Sequence, residues 1–344
     1  MNKYFISEIY EHARFTAGVL REDIEASLRK EGFIEIKINE PKNLFQKFLV
    51  RIGHTPKVEK MHSPGLAFFH FPLRSRLIRS IFKSMRPRQI STIAYVHDLE
   101  GVRGNHISLL NQEMSMIARA DIVLVQNQEM KNIISYKAGN ENIIVLEMYD
   151  YLQTGLPPVR SLSPVISFAG NLEKAAFIHQ LNRLPSLTFI IYGQGVPQLQ
   201  GNNVHFKGKQ DPRLLPALLE GSFGLVWDGD SLETGTGTGK YLQYNIPHKL
   251  ALYIMAGLPP IVWKKSAMAQ WVLNKKIGIV VESLFEVEEK ISALTEVQYQ
   301  EFLNNMIELR EKMSEGFYMK MAIRKVNKII SEQPGLKQAN TFIS

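Results

Sequence analysis

The segment with the clearest chemical character in this chain is the polar start of a predicted helix at Tyr244–Lys249. Its residues are Tyr-Asn-Ile-Pro-His-Lys, and apolar residues follow at helical spacing as far as Gly257, a predicted helix stop. Pro247 suits the first turn, because the first amides of a helix have no partner within it. Those amides, the positive end of the helix dipole and the Lys249 ammonium together favour an anion such as a diphosphate. An ordinary helix-strand unit with a solvated lysine is the alternative.

A glycine-containing turn follows the predicted strand Val165–Ala169. Gly170 and Asn171 come directly after the strand, and Lys174 begins the next predicted helix, Lys174–Leu181. Ligands bind at the carboxyl ends of strands in open α/β sheets, and a glycine lets the backbone approach a phosphate closely. The turn therefore predicts a second phosphate contact, with a routine strand-to-helix turn as the alternative.

Tyr192 closes the predicted strand Leu187–Tyr192, and Gly193 follows it. Its ring could stack on or border a nucleobase at the same edge of the sheet. A core tyrosine at a strand end is an equally good interpretation.

Groups able to accept a proton follow the predicted strand Thr92–His97. His97 is followed by Asp98, Glu100 and Arg103. Such groups can activate a hydroxyl nucleophile by general base catalysis. We favour Asp98 as the base, because a carboxylate directly after a buried strand needs a partner or a role. His97 and Glu100 are the next candidates.

The composition excludes several classes of protein. The 344 residues are enough for two domains, each with its own core. The absence of cysteine excludes a disulfide framework, a thiolate metal site and a cysteine nucleophile. The N-terminus lacks the apolar core of a signal peptide, and no apolar run approaches the roughly 20 residues that span a bilayer. We therefore expect a cytoplasmic protein, or one peripheral to the inner face of the membrane.

The net charge of +8 is concentrated between Lys42 and Arg88, where eleven basic residues face a single acid, Glu59, and six phenylalanines are interleaved. Such a segment could meet an anionic membrane surface or an acidic acceptor. A solvated basic face over core phenylalanines is the alternative. Nucleic acid is not expected as a partner, since no recognised binding motif accompanies the charge.

The elements that must position these residues form two series of alternating strands and helices, separated by a proline- and serine-rich linker at residues 153–164. This alternation predicts two parallel, doubly wound α/β sheets. The first helix is predicted at Arg21–Glu31, preceded by a loop that contains Thr16 and Gly18. The tail from Val297 to Glu332 is predicted to form two helices that part near Gly316.

The motif Y-N-I-P-H-K-L-x-x-Y-x-x-A-G-L-P-x-I-V, from Tyr244 to Val262, resembles the donor-binding signature of the GT-B superfamily of nucleotide-sugar glycosyltransferases. More narrowly, it resembles a bacterial group of glucosyl- and galactofuranosyltransferases. That group includes enzymes that extend N-acetylglucosamine on serine-rich-repeat adhesins. The resemblance implies two Rossmann-like, doubly wound domains facing a cleft. Residues 1–155 would form the acceptor domain and residues 163–315 the donor domain, with the C-terminal helix at about 316–332 crossing back to the first.

In the resembling family the glycine turn and the helix start hold the donor diphosphate, and a small loop after the first strand lies beneath the transferred sugar. Helix capping is the alternative role for the two residues of that loop. The residues that the resemblance assigns to donor binding are Thr16, Gly18, Gly170, Asn171, Lys174, Tyr192, Tyr244, Asn245, Ile246, Pro247, His248 and Lys249.

The function implied by the resemblance is transfer of a hexose, with glucose as the leading sugar, from a UDP-sugar to a glycoprotein that carries N-acetylglucosamine. One alternative is transfer of galactofuranose or another hexose to a lipid-linked polysaccharide. Another is a non-catalytic GT-B module that stabilises a partner enzyme. Each of these functions is compatible with a homo-oligomer.

No metal or other cofactor is expected beside the UDP-sugar. Asp228 and Asp230 form D-x-D, the manganese motif of the other glycosyltransferase fold, GT-A. The two-sheet organisation argues against that role, because GT-B enzymes stabilise the leaving diphosphate with helix dipoles and cationic side chains.

Overall fold

The computed structural model of the chain describes residues 1–8, 16–38, 56–153, 155–195, 198–233 and 237–333. The chain divides into two compact units. One contains Met1–Arg14, Arg21–Glu147 and Tyr318–Ser344, and the other contains Phe15–Leu20 and Met148–Phe317. The basic residues Lys42, Lys47 and Arg51 lie outside the described residues.

The first unit is built on a six-stranded parallel sheet in the order β2-β1-β3-β4-β5-β6. Its strands are β1 (Asn2–Glu8), β2 (Ile34–Ile38), β3 (Gly65–Phe71), β4 (Ile90–Val96), β5 (Ile122–Val125) and β6 (Ile143–Val145). Every residue of β3 and β4 is buried. Continuous burial is typical of central strands in a parallel sheet that is covered on both faces.

The helices that connect and cover this sheet begin with α1 (Thr16–Lys30). They continue with α2 (Pro56–Glu59), α3 (Arg76–Met85), α4 (Glu100–Arg103), α5 (Ile107–Ile117) and α6 (Gln128–Ala138). Local chemistry defines their ends: the Asn127 side chain accepts a hydrogen bond from the Met130 amide at the start of α6, and Gly139 ends that helix with a φ of 65°.

The second unit has its own six-stranded parallel sheet, in the order β12-β11-β10-β7-β8-β9. Its strands are β7 (Val165–Asn171), β8 (Thr188–Gln194), β9 (Val204–Gly208), β10 (Phe223–Val226), β11 (Pro260–Trp263) and β12 (Ile279–Val281). Its helices are α7 (Leu215–Leu218), α8 (His248–Met255), α9 (Ala269–Lys275), α10 (Val287–Ser292) and α11 (Glu296–Glu315), and α12 (Phe317–Glu332) follows.

The strand order identifies the point in each sheet where a ligand is expected. The order reverses between β1 and β3 in the first sheet and between β7 and β10 in the second. At such a switch point the connections on either side leave in opposite directions and open a crevice at the carboxyl ends of the strands. Two doubly wound parallel sheets confirm the predicted fold class, which rested on the alternation of strands and helices.

Helix α8 packs directly on the switch point of the second sheet. A Cβ atom added to Gly224 in β10 would lie 2.2 Å from Cγ of Tyr253, so only glycine lets the helix approach this closely. The Tyr253 hydroxyl accepts a hydrogen bond of 2.9 Å from the Ala169 amide of β7. Gly257 ends the helix with a φ of 66°, as predicted. These contacts determine where the first turn of α8 lies.

Two predicted helices differ from the observed ones. Helix α1 begins at Thr16 rather than Arg21, so Gly18 lies in its first turn and not in a preceding loop. The predicted loop followed the pattern of the resembling family, which has a small glycine-containing loop between the first strand and the first helix. The helix predicted at Lys174–Leu181 is instead two short 3₁₀ helices, Leu172–Lys174 and Ala176–Arg183. The Lys174 carbonyl and the Phe177 amide both bond to Gly229, which removes them from any α-helical ladder.

The two helices predicted in the tail are confirmed. Thr295 and Gln298 form a reciprocal capping box at the start of α11, and Gly316 separates α11 from α12 with a φ of 81°. None of the helices in the described part of the chain is long and apolar enough to cross a membrane.

Candidate functional site

Lys249, the second residue of α8, places its ammonium at the switch point of the second sheet. Its Nζ donates to the Trp227 carbonyl at 2.9 Å and to Asp228 Oδ1 at 2.7 Å. The same atom lies 4.5 Å from the centroid of the Phe168 ring. Phe168 belongs to β7, and Trp227 and Asp228 directly follow β10, so the ammonium lies between the two strands that flank the crevice.

This ammonium retains one unused donor. A lysine ammonium has three N–H groups, and the described residues accept hydrogen bonds from two of them. The Lys249 side chain is 11% exposed and that of Asp228 is 30% exposed, so water screens the ion pair only partly. A partly buried cation at the first turn of a helix is suited to an anionic ligand.

The glycine turn after β7 lies beside this cation. A Cβ atom on Gly170 would be 3.7 Å from Nζ of Lys249 and 3.3 Å from the Phe168 ring. Asn171 caps the following 3₁₀ helix by accepting a hydrogen bond of 3.0 Å from the Glu173 amide, and Lys174 is exposed. The structure thus brings Gly170 and Lys249 together, although they are far apart in the sequence.

The residues at the start of α8 carry buried polar atoms that lack partners within the described part of the chain. These atoms are Oδ1 of Asn245 and both ring nitrogens of His248. The His248 ring stacks on Tyr151, with a centroid distance of 5.3 Å and an interplanar angle of 10°. Burial, and after it the positive charge of Arg213, lowers the pKa of His248 to about 4, so this imidazole is neutral at pH 7.

The three remaining residues of the helix start have structural contacts. Pro247 is the N-cap of α8, and the Ile246 carbonyl accepts a hydrogen bond of 2.8 Å from the Tyr149 hydroxyl. Tyr244 is partly exposed, and its amide donates to the Tyr241 carbonyl.

Tyr192 is near the end of β8, where the sequence places it, but the residue is only 3% exposed. The hydroxyl donates to the Leu218 carbonyl and to Glu220 Oε1, each at 3.2 Å. Burial, and secondarily the Glu220 carboxylate, raises the pKa of Tyr192 to about 12. The observed hydrogen bonds connect the Tyr192 hydroxyl to Glu220 and to the end of α7. Contact of this ring with a nucleobase therefore stays a prediction.

In the first unit, Asp98 and Glu100 share one cation. The Arg103 guanidinium forms an ion pair with Asp98 and bonds to both carboxylate oxygens of Glu100 at 3.2 Å. The Glu113 carboxylate accepts hydrogen bonds of 2.9 Å from the amides of Glu100 and Gly101, which anchors the start of α4. The two acidic candidates are thus held in defined positions just beyond β4.

His97 belongs to a second cluster that sequence reasoning missed. Its Nε2 lies 2.8 Å from Nδ1 of His70, at the end of β3, and the two rings stack at 5.1 Å. Nε2 of His70 lies 3.7 Å from Oε1 of Glu25 in α1. Burial, followed by the charges of Arg21 and Arg74, lowers the pKa of His97 to about 3. His70 is one apolar-flanked residue in a buried strand, so nothing in its local sequence marked it.

Thr16 and Gly18 occupy the first turn of α1, with Gly18 partly exposed. No group of three or more histidine, cysteine, aspartate and glutamate side chains in the described ranges is arranged to hold a metal ion. Asp228, one half of the D-x-D sequence, is bonded to Lys249 instead.

Two family models match this chain in order. The glucosyltransferase 3-like N-terminal domain matches residues 3–148, and the glucosyltransferase 3-like C-terminal domain matches residues 166–326, so that together they account for most of the chain. The chain belongs to the glucosyltransferase 3-like family. This glucosyltransferase 3-like protein is therefore a bacterial-type GT-B glycosyltransferase, as the motif at Tyr244–Val262 predicted.

Relatives of known name agree with this assignment, and solved structures share the fold. The protein is 26% identical over 282 residues to beta-1,6-galactofuranosyltransferase WbbI of Escherichia coli K12, covering 77% of this chain and 80% of the relative. It is 25% identical over 251 residues to glucosyltransferase 3 of Streptococcus gordonii, covering 71% and 73%. The fold resembles Anabaena HepE in complex with UDP, with a TM-score of 0.58, 13% identity and coverage of 96% and 100%. It also resembles OtsA in its apo form, with a TM-score of 0.60, 9% identity and coverage of 99% and 100%.

Proposed function

We propose that this glucosyltransferase 3-like protein transfers a hexose, in the first place glucose, from a UDP-sugar to a glycoprotein that carries N-acetylglucosamine. The observation that carries the donor part is the Lys249 ammonium at the switch point of the second sheet, with one N–H unused by the described residues. Relatives named glucosyltransferase 3, and a similar fold solved with UDP-glucose, support the choice of donor. The acceptor part follows from the resemblance to glucosyltransferases of serine-rich-repeat adhesins.

In the proposed donor complex the diphosphate lies at the first turn of α8. It accepts hydrogen bonds from the Lys249 ammonium and from the amides of the first turn, and Gly170 leaves room for its oxygens. Negative charge on the UDP increases as the bond to the sugar breaks. A cation and a helix dipole that are already oriented stabilise that charge without a reorganisation cost during the reaction.

The proposed acceptor chemistry belongs to the first unit. Asp98 takes the proton of the attacking hydroxyl, and Arg103 holds both Asp98 and Glu100 in place. Glu100 and His97 are the alternative bases. His97 is the weaker of these two as a base, because its pKa of about 3 lies far below neutral pH.

The test is a transfer assay with UDP-glucose and a serine-rich peptide bearing N-acetylglucosamine, read by the mass of the product. UDP-galactose and UDP-galactofuranose serve as competing donors. We expect a gain of one hexose from UDP-glucose, lost in Lys249→Met and retained in the matched control Lys290→Met, since Lys290 is an exposed lysine of α10. Hydrolysis of UDP-sugar without an acceptor tests the non-catalytic alternative, which predicts no release of UDP.

One observation favours a lipid-linked acceptor instead. Helix α3 buries Leu77, Ile78, Ile81, Phe82 and Met85, and it presents Arg76, Arg79 and Lys83 on the opposite, exposed side. The flanking residues Arg74 and Arg86 are exposed too, and the sequence has no acid between Glu59 and Asp98. An exposed basic face of this kind attracts anionic lipid by about 1 kcal/mol per residue near the surface.

Cosedimentation with vesicles separates the two acceptors. Binding to phosphatidylglycerol vesicles but not to phosphatidylcholine vesicles, abolished in the triple variant Arg76→Glu, Arg79→Glu, Lys83→Glu, would support the lipid-linked acceptor. Equal recovery in the supernatant with both vesicle types would favour the glycoprotein acceptor.

A further inference from the structure

Two imidazoles at the carboxyl edge of the first sheet form a fixed pair. Nδ1 of His70 and Nε2 of His97 are 2.8 Å apart, and the rings are nearly parallel, with an interplanar angle of 17°. His70 is the last residue but one of β3 and is buried, whereas His97 directly follows β4 and is partly exposed. The backbone of His97 is held on both sides: its amide donates to the Phe71 carbonyl, and its carbonyl accepts from the Gln126 side chain.

The proton count in this pair permits two arrangements. When both rings are neutral, one nitrogen of the contact carries a proton and the other accepts it. Either His70 donates from Nδ1, or His97 donates from Nε2. The choice determines whether the nitrogen outside the contact carries a proton or a lone pair. That nitrogen is Nε2 in His70 and Nδ1 in His97.

The Glu25 carboxylate selects between the two arrangements. Its Oε1 lies 3.7 Å from Nε2 of His70, and the carboxylate is paired with Arg21 at 3.1 Å and with the Ser7 hydroxyl at 3.3 Å. A lone pair on Nε2 of His70 would face the negative carboxylate, whereas an N–H there is attracted to it. Nε2 of His70 is buried and has no hydrogen-bond partner within the described residues, so its attraction to Glu25 decides the preference. It favours the arrangement in which His70 carries its proton on Nε2 and accepts at Nδ1, and His97 donates from Nε2.

This arrangement leaves the lone pair of His97 on Nδ1. In the described part of the chain, Nδ1 of His97 has no hydrogen-bond partner, and it is not among the fully buried polar atoms. The charged and titratable groups around the pair are Glu25 and Arg21 from α1, Tyr95 from β4 and Arg74 after β3. Burial, and after it the charge of Arg21, lowers the pKa of both rings, and Arg74 adds to the effect at His97. Both rings are therefore neutral at pH 7, and the acceptor at Nδ1 persists.

We propose that Glu25 and His70 are positioning residues that fix the tautomer of His97, so that Nδ1 of His97 accepts a hydrogen bond from a hydroxyl of the sugar substrate. The identity of the ligand, a polyhydroxylated sugar, rests on the proposed function. The tautomer of His97 rests only on the geometry of the first unit. His97 would orient the substrate next to Asp98, the proposed base, and would not itself remove a proton.

The tautomer is tested without any substrate, by two-bond ¹H–¹⁵N correlation spectra of the ¹⁵N-labelled protein at pH 7. The His97 signals are assigned from their loss in His97→Asn. We expect a protonated Nε2 and an unprotonated Nδ1 in His97, and a change toward mixed tautomers in Glu25→Gln. The exposed His62→Asn serves as a matched control that leaves the His97 signals in place. A proton on Nδ1 of His97, or spectra unaffected by Glu25→Gln, would overturn the proposal.

The role toward the substrate is tested by kinetics of two His97 variants. The Asn side chain places its oxygen near the position of Nδ1 and keeps an acceptor, whereas Phe keeps the ring shape without one. We expect kcat/KM to be about 2- to 12-fold lower in His97→Phe than in His97→Asn. This range corresponds to the loss of one neutral hydrogen bond to the substrate. Equal losses in both variants, with native thermal unfolding, would show that Nδ1 accepts nothing from the substrate. The spectra remain informative if UDP-sugars prove to be the wrong donors, so the two proposals fail separately.

Discussion

Replacement of Lys249 by methionine tests the donor site directly. Methionine retains most of the aliphatic stem above Phe168 and removes only the ammonium, which donates to Trp227 and Asp228. A hydrogen bond from a charged group contributes about 1.5 to 3 kcal/mol to binding, which corresponds to a loss of roughly 13- to 160-fold in affinity for UDP. Isothermal titration calorimetry with UDP measures this change.

The same substitution affects folding, because Lys249 is only 11% exposed and its partner Asp228 is left without a cation. We expect the free energy of unfolding to decrease by about 1 to 3 kcal/mol. This value lies between the effect of breaking a surface ion pair and that of breaking a buried one, because the Lys249–Asp228 pair is partly buried. The double variant Lys249→Met, Asp228→Asn should recover part of this stability without recovering UDP affinity. A Kd for UDP within twofold of the native value in Lys249→Met would refute the assignment of the diphosphate to this helix start.

Three further predictions concern the base, the metal and the pH dependence of stability. Asp98→Asn should lower turnover by about 100-fold while the Kd for UDP stays near its native value, and undiminished turnover would move the base to Glu100. Sugar transfer should continue in excess chelator, because a cation and a helix dipole carry the diphosphate charge; loss of transfer that added manganese restores would contradict this. His248 and His97 have pKa values of about 4 and about 3 in the fold, below the ordinary value near 6.5. The unfolded chain then binds more protons than the folded chain below about pH 6.5, so the free energy of unfolding should fall as the pH decreases from 7 to 4. Urea unfolding should show a shallower pH dependence in His248→Phe, and an unchanged dependence would mean that this ring titrates normally in the fold.

Much of the candidate donor site could be predicted because its chemistry is local. The polar residues before an apolar helix, the stop at Gly257 and the turn at Gly170 follow from spacing and residue type. The partner of Lys249 could not be predicted in the same way. In the sequence, Asp228 stands out only as half of a D-x-D motif. It lies 21 positions before Lys249, and no pattern in the sequence pairs the two. The burial of the Lys249 side chain could not be predicted either, because it depends on the strands around it.

The sequence alone determined the types of most elements, because helix and strand periodicity, caps and glycine stops act within a few residues. It also determined the family, through the motif at Tyr244–Val262. The tertiary structure decided which strands are neighbours. The crossover connections place β7 beside β10 and β3 beside β4, and only then do Gly170 and Lys249, or His70 and His97, come within a few ångströms. Such contacts depend on strand order and burial in the folded sheet, which residue spacing along the chain does not encode.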